Sequence, residues 1–297
     1  MSDGADKGNG RDRAGRRRVF LKRGTQVPVR ALIPNLVTLL ALCAGLTAIR
    51  MAIDARYELA IAAILLAAVL DALDGRLARM LKATSRFGAE LDSLADFVNF
   101  GVAPAVILYV WAFVSVPSLG WLAALVFALC TALRLARFNT ELDEVRPRWR
   151  AAYSTGVPAP AGAIVVLLPF YAAGIGAPEG PVLTAFAFLH TCIMAGLLVS
   201  WQPTFSGKSA GRNIDRKYVL PLFAVAATFA AVLATYPYLS LLAGSLAYLV
   251  SIPIAGRRFA ARQESETASE TPSAVPGEPA TTTAPSEIRA DDPARPH

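Results

Sequence analysis

Histidine and cysteine are nearly missing from this chain, with two and three residues among 297. His190 stands alone in an apolar stretch and His297 ends the sequence, so neither suggests a histidine-based site. Cys43, Cys130 and Cys192 are odd in number and fit no metal-ligand spacing. All three lie in apolar segments, where cysteine acts as a small buried hydrophobe. Charge is scarce too, at 17% of residues, and is gathered at the ends and in a few loops. No small-residue cleavage site follows a short apolar core at the amino terminus, and its basic region is too long for a cleaved signal peptide. No short-period repeat is evident. What remains is 55% hydrophobic with a mean hydropathy of +0.45, in long apolar runs with charged flanks. That is the composition of an all-α, polytopic transmembrane helical bundle.

The net charge of +7 is therefore no footprint of nucleic acid. Much of it sits in Arg11, Arg13, Arg16, Arg17, Arg18, Lys22 and Arg23. A basic arm before a membrane helix marks the cytoplasmic side and touches anionic membrane lipid. Residues 1–30 read as a disordered arm, 31–257 as the transmembrane catalytic domain, and 258–297 as a solvated tail rich in Ala, Thr, Ser, Glu and Pro. Between the tails the pattern predicts eight spans, at 33–53, 57–81, 89–113, 119–139, 158–176, 181–201, 217–235 and 238–255.

Loop charges agree with that count. The even-numbered loops carry Arg76, Arg79, Lys82 and Arg86, then Arg134, Arg137, Arg146, Arg148 and Arg150, then Lys208, Arg212, Arg216 and Lys217. Three of the opposite loops, VSVPSLG, IGAPEG and TYPY, have no Lys or Arg; only Arg50 and Arg56, edging the first loop, break the alternation. Both termini are thus expected in the cytoplasm, with the protein in the cell (inner) membrane.

Against this background the segment DALDGRLARMLKATSRFGAELDSLAD, residues 71–96, stands out. Asp71 and Asp74 are three apart and share one helix face; Asp92 and Asp96 are four apart and share another. The short connection makes the two helices antiparallel neighbours, which brings the acidic faces together. Four hard carboxylates can bind one or two Mg²⁺ or Mn²⁺ ions. Gly75, Gly88 and Ala78 leave room for close approach, and Arg79 adds a cation suited to phosphate. Any one of these acids alone could be solvated or paired with a neighbouring Arg or Lys. Four together in apolar sequence point to a metal-bridged phosphorylated ligand and phosphoryl transfer.

The stretch resembles the signature of the CDP-alcohol phosphatidyltransferase family at every defining position. The resemblance implies a six-helix core, here with two further spans, and a homodimer. It implies transfer of a phosphatidyl group from CDP-diacylglycerol to an alcohol, with release of CMP. It also makes Asp71, Asp74, Asp92 and Asp96 ligands of two divalent cations, Mg²⁺ or Mn²⁺, with Asp96 the proton acceptor. Gly75 and Arg79 become contacts to the CDP moiety. Ser85, with Asn35 and Thr38 of IPNLVTLL, stands where the family contacts the same ligand; a capping or solvated role is the alternative for these three.

The alcohol must be read elsewhere. AELDSLADFVNFGVAPA, LRLARFNTE and STGVPAPAGA resemble the phosphatidylserine synthase branch of the family, which implies L-serine as acceptor. Val157, where that branch has Leu, is a departure, as is the distance of Tyr153 from Gly156. Serine's carboxylate calls for Arg or backbone donors. Arg134, Arg137 and Asn139 end the fourth span, and Asn99 lies seven residues after Asp92 on nearly the same face. These are the acceptor-site candidates; pinning the helix end is the other role open to the two arginines. Glycerol 3-phosphate, inositol phosphate or choline would use the same chemistry, and a cation-coupled transporter is a more distant reading of membrane acids.

Overall fold

The computed structural model describes residues 29–141, 153–205 and 216–270. Apart from Val29 and Arg30, the basic arm expected at 1–30 lies outside them, as do 271–297 of the expected tail. The described residues form eight helical passes. They are α1 (Val29–Ile53), α2 (Tyr57–Met80), a continuous rod of α3 (Arg86–Asp96), a π-helical turn (Phe97–Val102) and α4 (Ala103–Ala112), then α5 (Pro117–Glu141). After β1 (Tyr153–Thr155) come α6 (Ala159–Val166) and α7 (Leu168–Gly174), which make one broken pass, and α8 (Pro181–Val199). Then follow β2 (Pro203–Phe205), α9 (Arg216–Thr235) and α10 (Pro237–Glu270).

Six of these passes are long and apolar enough to cross a membrane. The other two depart for different reasons. Helix α2 has the length, at 24 residues, but carries Glu58, Asp71, Asp74, Arg76 and Arg79. The α6–α7 pass spans only Ala159–Gly174. The fold is all-α but for one detail: β1 and β2 pair antiparallel, Tyr153 opposite Phe205 and Thr155 opposite Pro203.

Close packing begins with small residues. Ala41, Ala44, Ala48 and Ala52 recur at helical spacing on α1 and are all buried, as are Ala60, Ile61, Ile64 and Ala67 on α2. These stripes let α1 and α2 run side by side along their length. Leu36, Leu40 and Leu46 on α1, and Leu66 and Val69 on α2, are exposed, as side chains facing lipid must be.

Two irregularities follow from proline. Pro169 has no N–H, so the carbonyl of Val165 loses its helical donor and the pass breaks at Leu167. His190 of α8 repairs the loss: its Nε2 lies 2.8 Å from the Val165 carbonyl oxygen. The Tyr171 hydroxyl donates to the neighbouring Ile164 carbonyl at 3.0 Å. The lone histidine of the core is thus explained by backbone satisfaction. Pro104 likewise cannot donate to Phe100, and the turn just before it widens to a π-helix, with Ala103 N–H bonded to Val98.

Composition predicts a tail from residue 258, whereas α10 stays helical to Glu270. The segment RRFAARQESE, 257–266, is made almost wholly of good helix formers, which explains the continuation. The chain divides into two units, one through Arg257 and one from Arg258 onward.

Candidate active site

The turn between α2 and α3 is tight. Helix α2 ends in a Schellman motif, with Ala83 N–H bonded to the Ala78 carbonyl and Lys82 N–H to that of Arg79. Lys82 takes the left-handed conformation this requires, at φ +50°. Ser85 then caps α3, its hydroxyl oxygen accepting the Gly88 N–H at 3.0 Å. With so short a connection, α2 and α3 return antiparallel and their acidic faces meet.

Carboxylate oxygens of Asp71, Asp74 and Asp92 lie within 4.8 Å of one another. Asp96 stands beside Asp71, close enough for the two carboxylates to act on each other's charge. Asp74 is buried, and the Thr38 hydroxyl of α1 donates to its Oδ2 at 2.7 Å. The same hydroxyl lies 3.1 Å from the Pro34 carbonyl oxygen, which fixes its rotamer along the helix. Three carboxylates this close repel strongly in an apolar surround unless a cation or proton sits among them. All-oxygen donors with neither His nor Cys suit a hard divalent ion, so the residues present fit Mg²⁺ or Mn²⁺.

The smaller residues frame this cluster. A methyl group on Gly75 would stand 3.5 Å from an Arg79 guanidinium nitrogen, so Arg79 folds back along its own helix toward Gly75. A methyl on Gly88 would stand 3.0 Å from Asn35 Oδ1 and 3.1 Å from Ser85 Oγ. Asn35, Ser85 and Gly88 therefore converge where α1 passes the start of α3. Ser85 is engaged as a cap and Thr38 as the partner of Asp74, while Arg79 is exposed.

The four acceptor candidates separate. Arg134 is buried on α5, close enough to Asp96 to act on its charge. Arg137 points to the end of α8 instead: its guanidinium donates to the carbonyls of Val199 (2.8 Å) and Ser200 (3.2 Å) and lies 4.9 Å from the centre of the Trp201 ring. That is a helix C-terminus held by a cation. Asn139 donates to Ser93 Oγ at 2.9 Å and so ties α5 to α3. Asn99 sits in the π-helical turn, fully buried, and neither its amide nitrogen nor its amide oxygen has a hydrogen-bond partner among the described residues. A methyl on Gly45 would lie only 2.0 Å from Asn99 Oδ1, so α1 needs glycine there.

Sequence reasoning missed Ser93, Gly45 and the π-helical turn. A glycine inside the apolar run of α1 was the available signal for the second, since such a glycine often marks close approach. Ser93 lies within the acidic motif, but only the fold reveals its partner on α5.

Comparison with known proteins follows the same segments. The family model described as CDP-alcohol phosphatidyltransferase matches residues 31–202, and a second, described as CDP-alcohol phosphatidyltransferase 2, matches 217–253. Similar proteins include one from Mycobacterium leprae, 42% identical over 226 residues, covering 75% of this chain and 74% of the relative. One from Mycobacterium tuberculosis is 41% identical over 239 residues, 80% of this chain and 81% of its own. One from Bacillus subtilis is 37% identical over 186 residues, 62% of this chain and 96% of its own. All three carry the name CDP-diacylglycerol–serine O-phosphatidyltransferase.

Proposed function

The chain belongs to the CDP-alcohol phosphatidyltransferase family, and on that ground we propose that it transfers the phosphatidyl group of CDP-diacylglycerol to the hydroxyl of L-serine, giving phosphatidylserine and CMP. The observation that carries the chemistry is the meeting of Asp71, Asp74 and Asp92, from two helices, within 4.8 Å. The names borne by the mycobacterial and Bacillus relatives support serine as the acceptor.

In this reading Asp71, Asp74, Asp92 and Asp96 hold two divalent cations, Mg²⁺ or Mn²⁺. Bound there, the cations would neutralise the diphosphate and the charge developing on CMP. Arg79 grips the CDP phosphates, with Gly75 leaving them room beside Asp74. Asn35 and Ser85, at the mouth between α1 and α3, approach the nucleotide, and Thr38 orients Asp74. Asp96 takes the proton from the serine hydroxyl. The freed oxygen bonds to the phosphorus carrying diacylglycerol, and the bond from that phosphorus to the CMP oxygen breaks. Arg134, buried near Asp96, is the partner for serine's carboxylate. Asn99 brings to the same rod an amide donor and acceptor with no partner among the described residues. Arg137 and Asn139 act as positioning residues for α5.

Six apolar helices fit a multi-pass membrane protein. The Lys and Arg alternation supports the inner membrane, with the site and both termini facing the cytoplasm. Membership of the family supports a homodimer, to be checked by the mass of the purified protein in detergent.

The test is a panel of alcohols (L-serine, glycerol 3-phosphate, inositol phosphate and choline) offered with CDP-diacylglycerol and Mn²⁺, scored by CMP release. Serine alone should support turnover. Asp96→Asn should abolish it while CDP-diacylglycerol binding survives; preference for another alcohol would move the chain to a different branch.

A further inference from the structure

A cleft lies at the end of α2 away from the aspartates. Its wall includes Glu58, 16 residues before Asp74 on α2 and thus about 24 Å away along the helix. The open cleft has a volume of about 920 Å³. Four aromatic side chains line it: Tyr57, Trp111, Phe170 and Tyr238. Phe170 is the hub, buried, with ring centres 5.0 Å from Trp111, 5.8 Å from Tyr238 and 5.9 Å from Tyr57. The Trp111 contact is edge-on and the other two are tilted.

Charge completes the lining. Glu58 and Glu179 stand in the wall with Arg56, an acidic balance. Glu58 is held in place by the Tyr238 hydroxyl, which donates to its Oε1 at 3.0 Å. The Tyr238 ring lies flat over Gly174, where an added methyl would come within 2.6 Å of it. Aromatic residues are common where helices leave a bilayer, but there they point outward into the head groups. Here they converge from four helices on one open cleft, beside Glu58 and Glu179.

We propose that this aromatic and acidic cleft binds an organic ammonium group. Ring faces attract a cation through their quadrupoles, and bulky alkylammonium ions lose little on leaving water. Glu58 supplies the counter-charge. The cleft is far larger than one ammonium ion, so it has room for a zwitterionic head group, whose phosphate can reach Arg56. The ammonium is the shared chemistry; its source is either a free amine or an ammonium-bearing phospholipid. The proposal is independent of the reaction assigned to the aspartates.

The experiment uses the full chain purified in detergent, titrated calorimetrically with three probes: tetramethylammonium, dihexanoylphosphatidylcholine and dihexanoylphosphatidylglycerol. The first two should bind and the third should not. Glu58→Gln should weaken both by about fivefold or more, the loss of one exposed charge–charge contact, with CMP release unchanged. Phe170→Leu should weaken them too; Glu58→Gln, which alters only an exposed side chain, keeps the test open if that variant does not fold. Binding of tetramethylammonium alone would identify a free amine as the ligand, and binding of the phosphatidylcholine alone a lipid. No binding, equal binding of the phosphatidylglycerol, or indifference to Glu58→Gln would overturn the proposal.

Discussion

Thr38→Val removes one hydroxyl, shared between Asp74 and the Pro34 carbonyl, and almost no volume. In the wild type the Thr38 hydroxyl donates to Asp74 Oδ2 at 2.7 Å, and both residues are buried. A hydrogen bond to a charged acceptor contributes about 1.5–3 kcal/mol. Thr38 touches Asp74 rather than the space among the carboxylates, so its effect should pass through the orientation of that ligand. Losing such an outer partner typically weakens metal affinity about 10–100-fold, which is about 1.4–2.7 kcal/mol. CMP release measured against Mn²⁺ concentration should therefore show an activation midpoint raised by that factor, with turnover largely recovered at saturating Mn²⁺. Thr38→Ser keeps the hydroxyl and should restore the wild-type midpoint. The direct nucleotide contact expected from sequence gives a different pattern: an unchanged Mn²⁺ midpoint and a raised KM for CDP-diacylglycerol. That second outcome, in a variant that folds normally, would refute the orienting role.

Three further outcomes follow from the same structure. Asn99→Ala removes two buried polar atoms without partners among the described residues, so Tm should hold or rise, while serine turnover should fall at least about tenfold if the amide meets the acceptor; a fall in Tm with normal turnover would contradict this. Gly45→Ala would drive a methyl to 2.0 Å from Asn99 Oδ1; a loss of about 1–3 kcal/mol is expected from such overpacking, read as a lower Tm, and an unchanged Tm would show that α1 can retreat. Ala55 takes φ +56° between α1 and α2, so Ala55→Gly should raise stability by about 1 kcal/mol, measured as a higher Tm with normal CMP release.

Spacing alone made much of this legible. Aspartates three and four residues apart on either side of a short connection have few ways to avoid each other, and Asp71, Asp74 and Asp92 do meet. Helix positions could be read because lipid demands long apolar runs, and the eight expected spans fall on the eight helical passes. What escaped were contacts between residues far apart in sequence. Arg137 could have turned to the aspartates or to α8, and only the carbonyls left open at the end of α8 decide it. His190 read as idle because its partner exists only where Pro169 frees a carbonyl. The continuation of α10 to Glu270 was hidden because good helix formers also compose solvated tails.

The α6–α7 pass carries one more consequence. Its 16 residues reach about 24 Å, short of a hydrocarbon core of about 30 Å. It is also wrapped in protein, with Ala159, Ala163, Val166, Leu167 and Tyr171 entirely shielded. A segment so largely shielded by protein is less bound to match bilayer thickness. Thinner or thicker membranes will tilt the outer helices, whereas the depth of this inner one is set by its neighbours alone.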